Sequence, residues 1–202
     1  MTSVKKLYLA SSNPGKLREF LAIGNVRAAG LELELLPGFS RLPTFPEDAP
    51  TFAENAAGKA LHASPLTEQA VCADDSGLVV PALGGEPGVR SARYAGEHST
   101  GAENTARLLE AMRGKSGRDR EAYFVCVLAV ALRGRLLAVI TNRVDGEILE
   151  APRGSGGFGY DPVFYFPPLR QTFAEVQGEE KNLHSHRGKA FRRLLDVLPG
   201  ML

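Results

Sequence analysis

The chain has 202 residues, 44% of them hydrophobic, which is enough to bury a substantial core and argues against global disorder. The formal net charge of +1 argues against broad binding to nucleic acid, although local basic clusters could still bind a small polyanion. Cys72 and Cys126 lie in apolar runs without metal-ligand spacing, so buried free thiols in a reducing compartment are expected. Because no apolar segment is long enough for a signal or a span, we expect a cytoplasmic protein without membrane contact.

The N-terminal region predicts a strand, a polar loop and a helix. Residues 6–10 are a short apolar run, and the loop Ser11-Ser12-Asn13-Pro14-Gly15-Lys16 follows. Leu17, Phe20 and Leu21 then recur at helical spacing, with Ile23 as a further candidate. Such a loop places backbone N–H groups at a helix N-terminus, which suits an anion, but a plain turn with a solvated lysine fits the loop equally well. The pattern GxxxxGKS/T is absent, which disfavours ordinary P-loop chemistry.

A second strand is expected at residues 31–36, and residues 37–50 then carry four prolines, too many for regular structure. This segment contains Glu47 and Asp48, which taken alone read as solvated acids. The next motif, Thr51-Phe52-Ala53-Glu54, matches a capping box and predicts a helix to about residue 62 or 63. On that helix Asn55 and Lys59 share a face, although a lysine in this position is more often exposed than functional.

Two adjacent carboxylates, Asp74 and Asp75, follow the apolar run 70–73, where a buried strand is expected to end. Charges are rarely buried without a partner, because desolvation costs several kcal/mol or more. The pair therefore predicts either a solvated turn or a cation-binding site.

The second half of the chain predicts more sheet and a closing helix. A hairpin in the middle of a sheet covered on both faces is expected from the runs 122–132 and 136–144, with a turn at Asp145-Gly146. Four glycines around Phe158 and Tyr160 would let backbone approach a ligand that stacks on a ring, although inward-packed rings are the equal alternative. A capped helix is expected from Thr100 to about residue 112, with an apolar face of Ala106, Leu108 and Leu109. A strand is expected at residues 163–166, and a short capped helix at Thr172–Glu175. In the last expected helix, the residues that face the core are Phe191, Leu194, Leu195 and Leu198.

Together these residues suit a nucleotide with a metal ion. Asp75, with Asp74 or Glu47, offers hard oxygen ligands for Mg²⁺, which usually takes one or two carboxylates plus phosphates. A triphosphate also needs fixed positive charge, and Lys16, Lys59, Lys181 and Arg187 offer it. No Ser-His-Asp order or Cys-His pair stands out, so covalent hydrolysis is the weaker hypothesis.

Five motifs in the same order resemble the inosine and xanthosine triphosphate pyrophosphatases, and the resemblance covers essentially the whole chain. The motifs are Ser11-Ser12-Asn13-Pro14-Gly15-Lys16, Thr51-Phe52-Ala53-Glu54-Asn55-Ala56, Ala73-Asp74-Asp75-Ser76-Gly77-Leu78, Gly156-Gly157-Phe158-Gly159-Tyr160-Asp161-Pro162 and Ser185-His186-Arg187-Gly188. The resemblance implies a single α/β domain over residues 1–202, with a long central mixed β-sheet flanked by helices, two lobes and an active-site cleft between them. It further implies a homodimer and Mg²⁺-dependent hydrolysis of dITP, ITP and XTP to the monophosphate and pyrophosphate.

The resemblance also implies roles for individual residues. Asp75 and Glu47 correspond to metal ligands, with Asp48 as an alternative to Glu47, and Asp75 and Lys59 correspond to the general base and the catalytic lysine. The role of Asp74 stays open. The positions that correspond to substrate contacts are Ser11, Ser12, Asn13, Gly15, Lys16, Ser76, Phe158, Gly159, Tyr160, Asp161, Lys181, His186 and Arg187.

Two other functions remain open at this point. The related septum-associated pyrophosphatases resemble the same fold and prefer other bases, but they lack the Ser-His-Arg ending. A nucleotide-binding sensor without turnover is the alternative from a different class, against which Asp75 and Lys59 argue, since binding alone needs no base aimed at water.

Overall fold

A computed structural model of the protein describes residues 5–11, 14–24, 26 and 28–202. The strands form a seven-stranded mixed sheet in the order β2-β1-β3-β4-β5-β6-β7, in which β1 is parallel to β2 and β3, and β6 is antiparallel to β5 and β7. The strands are β1 (Lys5–Leu9), β2 (Leu31–Leu35), β3 (Ala70–Val79), β4 (Glu121–Leu132), β5 (Arg135–Ile148), β6 (Phe164–Phe166) and β7 (Gln171–Thr172). The α-helices are α1 (Pro14–Ile23), α2 (Phe52–Ala63), α3 (Gly101–Ala111), α4 (Gly178–His184) and α5 (His186–Val197). The predicted α/β class with a mixed sheet is confirmed, whereas the cleft between two lobes stays a prediction.

The chain divides into two compact units, of which the first comprises the residues up to Asp75, Cys126–Asn142 and Arg187–Leu202. Its core joins α1 to α5, since the rings of Phe20 and Phe191 lie 4.8 Å apart between centroids. The apolar stripe predicted for α5 is buried. On α1, Phe20 and Ile23 form the buried face, whereas Leu21, which falls at the same helical spacing, is 47% exposed.

The second unit comprises Ser76–Val125 and Arg143–His186. Aromatic rings fill its core. The centroid of the Phe164 ring lies 4.5 Å from that of Phe124 and 5.0 Å from that of Phe173. Helix α3 begins with the predicted capping box, complete in both directions between Thr100 and Glu103. Leu108 is buried as predicted, but Ala106 is exposed, so the buried face of α3 is more polar than the sequence suggested.

Two predicted strand breaks are absent, because strand pairing overrides the local signal. Strand β3 continues through Asp74-Asp75 as far as Val79, so the expected strand end was wrong. Strand β5 continues through Asp145-Gly146, where a Cβ on Gly146 would lie 2.5 Å from the Tyr165 carbonyl oxygen; the glycine allows close packing of strands and makes no turn.

The third predicted capping box, at Thr172–Glu175, starts no helix. The Thr172 N–H does donate to the Glu175 carboxylate at 2.7 Å, but the Thr172 hydroxyl donates to the Arg153 carbonyl at 2.8 Å. The N–H of Phe173 donates to the Phe164 carbonyl, which holds this backbone against β6.

The sheet itself is covered unevenly. Strand β4 is buried along most of its length, as predicted. Strand β5 instead alternates between exposed and buried residues, with Leu136 and Val139 about two-fifths exposed, so the expectation of two covered faces was wrong for β5. Among the described residues, no helix combines the length and apolar character needed to cross a membrane.

Candidate active site

The two acids of β3 are buried within the strand: Asp74 is 2% exposed and Asp75 is 8% exposed. A solvated turn is therefore excluded. Consecutive side chains of a strand point to opposite faces, so the two carboxylates can have different surroundings.

Asp74 is paired with a lysine. The Lys16 Nζ lies 2.7 Å from the Asp74 Oδ1. Burial opposes the charge of Asp74, but Lys16, Arg187 and Lys59 outweigh it and lower the pKa of Asp74 from 3.8 to about 2. In turn, although burial lowers the pKa of Lys16, the charge and hydrogen bond of Asp74 raise it above its ordinary value. Asp74 is thus charged at neutral pH and fixes Lys16.

Asp75 has the opposite character. Burial, helped by the charges of Glu47 and Asp74, raises the pKa of Asp75 from 3.8 to about 6, while a hydrogen bond with Asn55 and the charge of Lys59 oppose the rise. Its Oδ2 atom is buried and has no hydrogen-bond partner among residues 5–11, 14–24, 26 and 28–202. One oxygen of Asp75 is therefore available to take a proton or a cation.

Helix α2 brings a lysine and an amide to these acids. The Thr51 hydroxyl caps α2 by accepting the Glu54 N–H at 3.2 Å, as the capping box predicted. The Lys59 ammonium donates to the Asp74 carbonyl oxygen at 3.0 Å and forms an ion pair with Glu47. Asn55, four residues earlier, is fully buried. The shared face of Asn55 and Lys59 therefore meets the acids.

Glu47, and not its neighbour, is the acid that pairs with Lys59. Glu47 is half-buried, whereas Asp48 is exposed. No group of three or more His, Cys, Asp or Glu side chains suited to a metal occurs in the described part of the chain. Mg²⁺ needs only one or two carboxylates when phosphates and waters complete its shell, so the partnerless oxygen of Asp75 together with Glu47 fits that ion.

Both lysines border a cavity of about 350 Å³ in the first unit. Ser11 and Glu47 also line it, together with residues of the proline-rich segment. Gly15 lies in the first turn of α1, and the N-terminus of a helix favours an anion. Two further predicted contacts, Ser12 and Asn13, lie outside the described residues.

In the second unit, Asp161 organises the glycine-rich loop. Its carboxylate accepts the Phe158 N–H at 2.8 Å and the Lys181 ammonium at 2.6 Å. A Cβ on Gly157, whose φ is +69°, would overlap the Asp161 carboxylate. The Lys181 ammonium lies 4.9 Å from the centroid of the Phe158 ring, which is 58% exposed. An accessible ring beside a held cation is a suitable platform for a nucleobase.

The other predicted substrate contacts have mixed surroundings. Tyr160 is buried and donates its hydroxyl to the Ser91 carbonyl at 2.8 Å, so it has a structural partner. The Gly159 carbonyl accepts the Thr105 hydroxyl at 3.1 Å. Ser76 is a half-buried residue of β3, and the buried His186 ring stacks on Phe124 with centroids 4.8 Å apart.

Two residues that sequence reasoning missed hold the first unit's cluster together. Asn55 belongs to the motif Thr51–Ala56 but was assigned no role, and its side chain forms a hydrogen bond with Asp75. The Glu19 carboxylate accepts a hydrogen bond from the guanidinium of the buried Arg187 at 2.8 Å. Burial lowers the pKa of Arg187, but the charges of Glu19 and Asp74 outweigh burial and raise it. The position of Glu19, three residues after Lys16 on α1, was the available signal.

Comparisons with known proteins identify the family of this chain. The model of the Ham1 family matches residues 7–197. The chain is 52% identical to a dITP/XTP pyrophosphatase of Geobacillus kaustophilus, over 95% of this chain and 93% of that protein. It is 49% identical to one of Thermus thermophilus, over 95% and 91%. The solved structure of a HAM1 protein from Coxiella burnetii, 40% identical, superimposes with a TM-score of 0.88 over 97% of this chain and 99% of that chain. These matches confirm the predicted resemblance, and the chain belongs to the Ham1 family.

Proposed function

We propose that this chain hydrolyses dITP, ITP and XTP to the nucleoside monophosphate and pyrophosphate, and so removes deaminated purines from the nucleotide pool. The observation that carries the proposal is the pair of adjacent buried acids whose pKa values are moved in opposite directions. Such a divergence is the usual sign of acid–base assignment in an active site. The names of the relatives in the Ham1 family supply the substrate class.

In the reaction, a water oxygen bonds to the α-phosphorus while the bond from that phosphorus to the α–β bridging oxygen breaks. Pyrophosphate leaves with the bridging oxygen, and the proton of the water passes to Asp75. A pKa of about 6 suits a base that is ionised at neutral pH and still accepts a proton. Lys59 and Lys16, held by Glu47 and Asp74, supply positive charge for the phosphates.

Mg²⁺ is the metal we propose, held by Asp75 and Glu47, with the substrate phosphates completing its shell. When bound, Mg²⁺ neutralises charge on the triphosphate and on the departing pyrophosphate.

For the base, Phe158 supplies a stacking surface, and Lys181 and His186 supply donors. A site that donates to O6 of hypoxanthine or xanthine meets the 6-amino group of adenine with its own donors, which leaves buried donors unpaired and rejects ATP. Rejection of GTP is harder, because guanine shares O6 and differs only by its 2-amino group.

We further propose that the protein is a cytoplasmic homodimer and that residues 1–202 act as one domain. The support is the family resemblance for the dimer and the domain. For the compartment it is the two buried free cysteines, Cys72 and Cys126.

Pyrophosphate release from ITP, XTP, GTP, ATP and UTP, with and without Mg²⁺, tests the proposal. We expect Mg²⁺-dependent release from ITP and XTP that exceeds release from ATP. Absence of release from ITP and XTP overturns it. Preference for UTP would instead indicate the septum-associated class, and tight binding without turnover would indicate a sensor.

A further inference from the structure

Residues 43–49, named here the proline-rich strap, run along one face of α2. The strap contacts the helix at four positions between residues 55 and 62. These contacts are Pro43 O to His62 Nε2 at 3.0 Å, the Phe45 ring on Gly58, the ion pair of Glu47 with Lys59, and the Ala49 N–H to Asn55 Oδ1 at 3.0 Å.

The exposure of the strap alternates in the way an extended segment on a surface requires. Residues 45, 47 and 49 are half-buried, whereas residues 46 and 48 are exposed. Their partners at positions 55, 58, 59 and 62 of α2 follow the spacing i, i+3, i+4, i+7 and so share a helix face. The register between strap and helix therefore decides that Glu47, and not Asp48, reaches Lys59.

A glycine in the middle of α2 is explained by the ring that lies on it. Glycine is a poor helix former, and Gly58 has no positive φ that would require it. A Cβ at this position would overlap the tip of the Phe45 ring and lie 3.1 and 3.3 Å from two further ring atoms. The absence of a side chain at position 58 thus leaves room for the Phe45 ring, whose centroid also lies 5.7 Å from that of the His62 ring.

We infer that Phe45, seated on Gly58, is a positioning residue that holds Glu47 at the metal site and thereby sets the Mg²⁺ affinity of the enzyme. Phe45 stands two residues before Glu47, and both line the cavity that also contains Lys16 and Lys59. A strap fixed in place presents a carboxylate that is already ordered, whereas a loose strap must be ordered by the ion at the expense of affinity. The inference rests on the proposed function, because it assigns Glu47 to that reaction's metal.

The substitution Gly58→Ala separates positioning from folding. Alanine is the better helix former, so α2 should not become less stable, yet the new methyl group displaces the Phe45 ring. We expect amide exchange of the strap, followed at Ala49, to become about tenfold faster, and the Mg²⁺ concentration for half-maximal activity to rise about tenfold. Turnover at saturating Mg²⁺ should change much less, because Asp75 and Lys59 are retained.

A double-mutant cycle provides the control. Phe45→Ala should weaken Mg²⁺ binding as Gly58→Ala does, and Phe45→Leu should weaken it less than Phe45→Ala. In the double variant, Gly58→Ala should cause no further loss of Mg²⁺ affinity, because the Phe45 ring is already absent. Calorimetric titration of Mg²⁺ into the substrate-free protein gives the same comparison without turnover.

The inference would be overturned if Gly58→Ala changed neither the amide exchange of the strap nor the Mg²⁺ affinity. Additive effects of Gly58→Ala and Phe45→Ala would overturn it as well. If Gly58→Ala fails to fold, the comparison of Phe45→Ala with Phe45→Leu decides it by the same readouts. A wild-type protein that releases no pyrophosphate refutes the proposed function alone, since exchange of Ala49 still reports whether Phe45 holds the strap.

Discussion

Replacing Asp75 by Asn is expected to remove most of the activity and yet stabilise the metal-free protein. The substitution keeps the size of the side chain and removes its charge. A positioned general base contributes about 100-fold to 10,000-fold to the rate, so turnover should fall by that range. Loss of a metal ligand would add to the fall.

The gain in stability follows from the raised pKa of Asp75. Below pH 3.8 the carboxyl group is protonated in both the folded and the unfolded chain, so it carries no penalty. Between 3.8 and about 6 the folded protein keeps a proton that the unfolded chain has lost, and the free energy of unfolding falls as pH rises. Above this window the full penalty is about 3 kcal/mol, since one pKa unit is worth about 1.4 kcal/mol. This is the upper limit of what Asp75→Asn recovers.

The neighbouring substitution Asp74→Asn is the matched control with the opposite sign. The pKa of Asp74 is lowered to about 2, so its charge stabilises the fold above pH 3.8, and this contribution is lost as pH falls toward 2. Breaking its buried pair with Lys16, whose side chain is 29% exposed, should cost about 3 kcal/mol, the lower end for such pairs.

Urea denaturation in EDTA, from about pH 4 to about pH 8, measures both variants beside the wild type. The stability difference between Asp75→Asn and wild type should be near zero at the acid end and grow with pH. Added Mg²⁺ should shrink it, because only the wild type keeps both ligands. A difference that does not grow with pH, or a variant with near-normal pyrophosphate release, would refute the assignment of Asp75 as a desolvated base.

Three further outcomes are expected. Glu47→Gln should raise the Mg²⁺ concentration needed for activity about tenfold while Asp48→Asn leaves it unchanged, as a Mg²⁺ titration of pyrophosphate release would show; the reverse pattern would make Asp48 the ligand. Gly157→Ala should force the Asp161 carboxylate away and raise the KM for ITP about tenfold, with little change if the loop can shift instead. Thr100→Ala should cost about 1 kcal/mol of stability in urea denaturation without altering KM, and an unchanged midpoint would mean that the cap is replaced by water.

The elements that were predicted correctly from the sequence depend on interactions between residues that are close together in the chain. Both helices that begin at Thr51 and Thr100 start where the threonine accepts an N–H three residues later, a bond that needs no distant partner. The motif at Thr172 has the same four residues as the motif at Thr51 and starts no helix. Its hydroxyl donates to the Arg153 carbonyl, and the following N–H donates to the Phe164 carbonyl. Only the folded sheet distinguishes these cases.

The acids of β3 show why the pairing of the site residues was harder to predict than their identity. A charged dipeptide marks a strand end only when no partner is present, and the partners of Asp74 come from α1 and α2, up to 58 residues earlier in the chain. The sequence therefore named residues that the structure brings together in the first unit. Their pairing, Lys16 with Asp74 and Lys59 with Glu47, depends on packing that no local pattern contains.

The way Lys59 is shared explains why one strand can carry two acids with opposite pKa shifts. Lys59 contacts the backbone carbonyl of Asp74 and the carboxylate of Glu47, so its charge is divided and does not neutralise Asp75. If Lys59 were paired with Asp75 directly, the pKa of Asp75 would be lowered and the carboxylate would be a weak base at neutral pH. The ion pair with Glu47 thus keeps Lys59 close to Asp75 while the pKa of Asp75 stays raised, and the strap that carries Glu47 is part of the same arrangement.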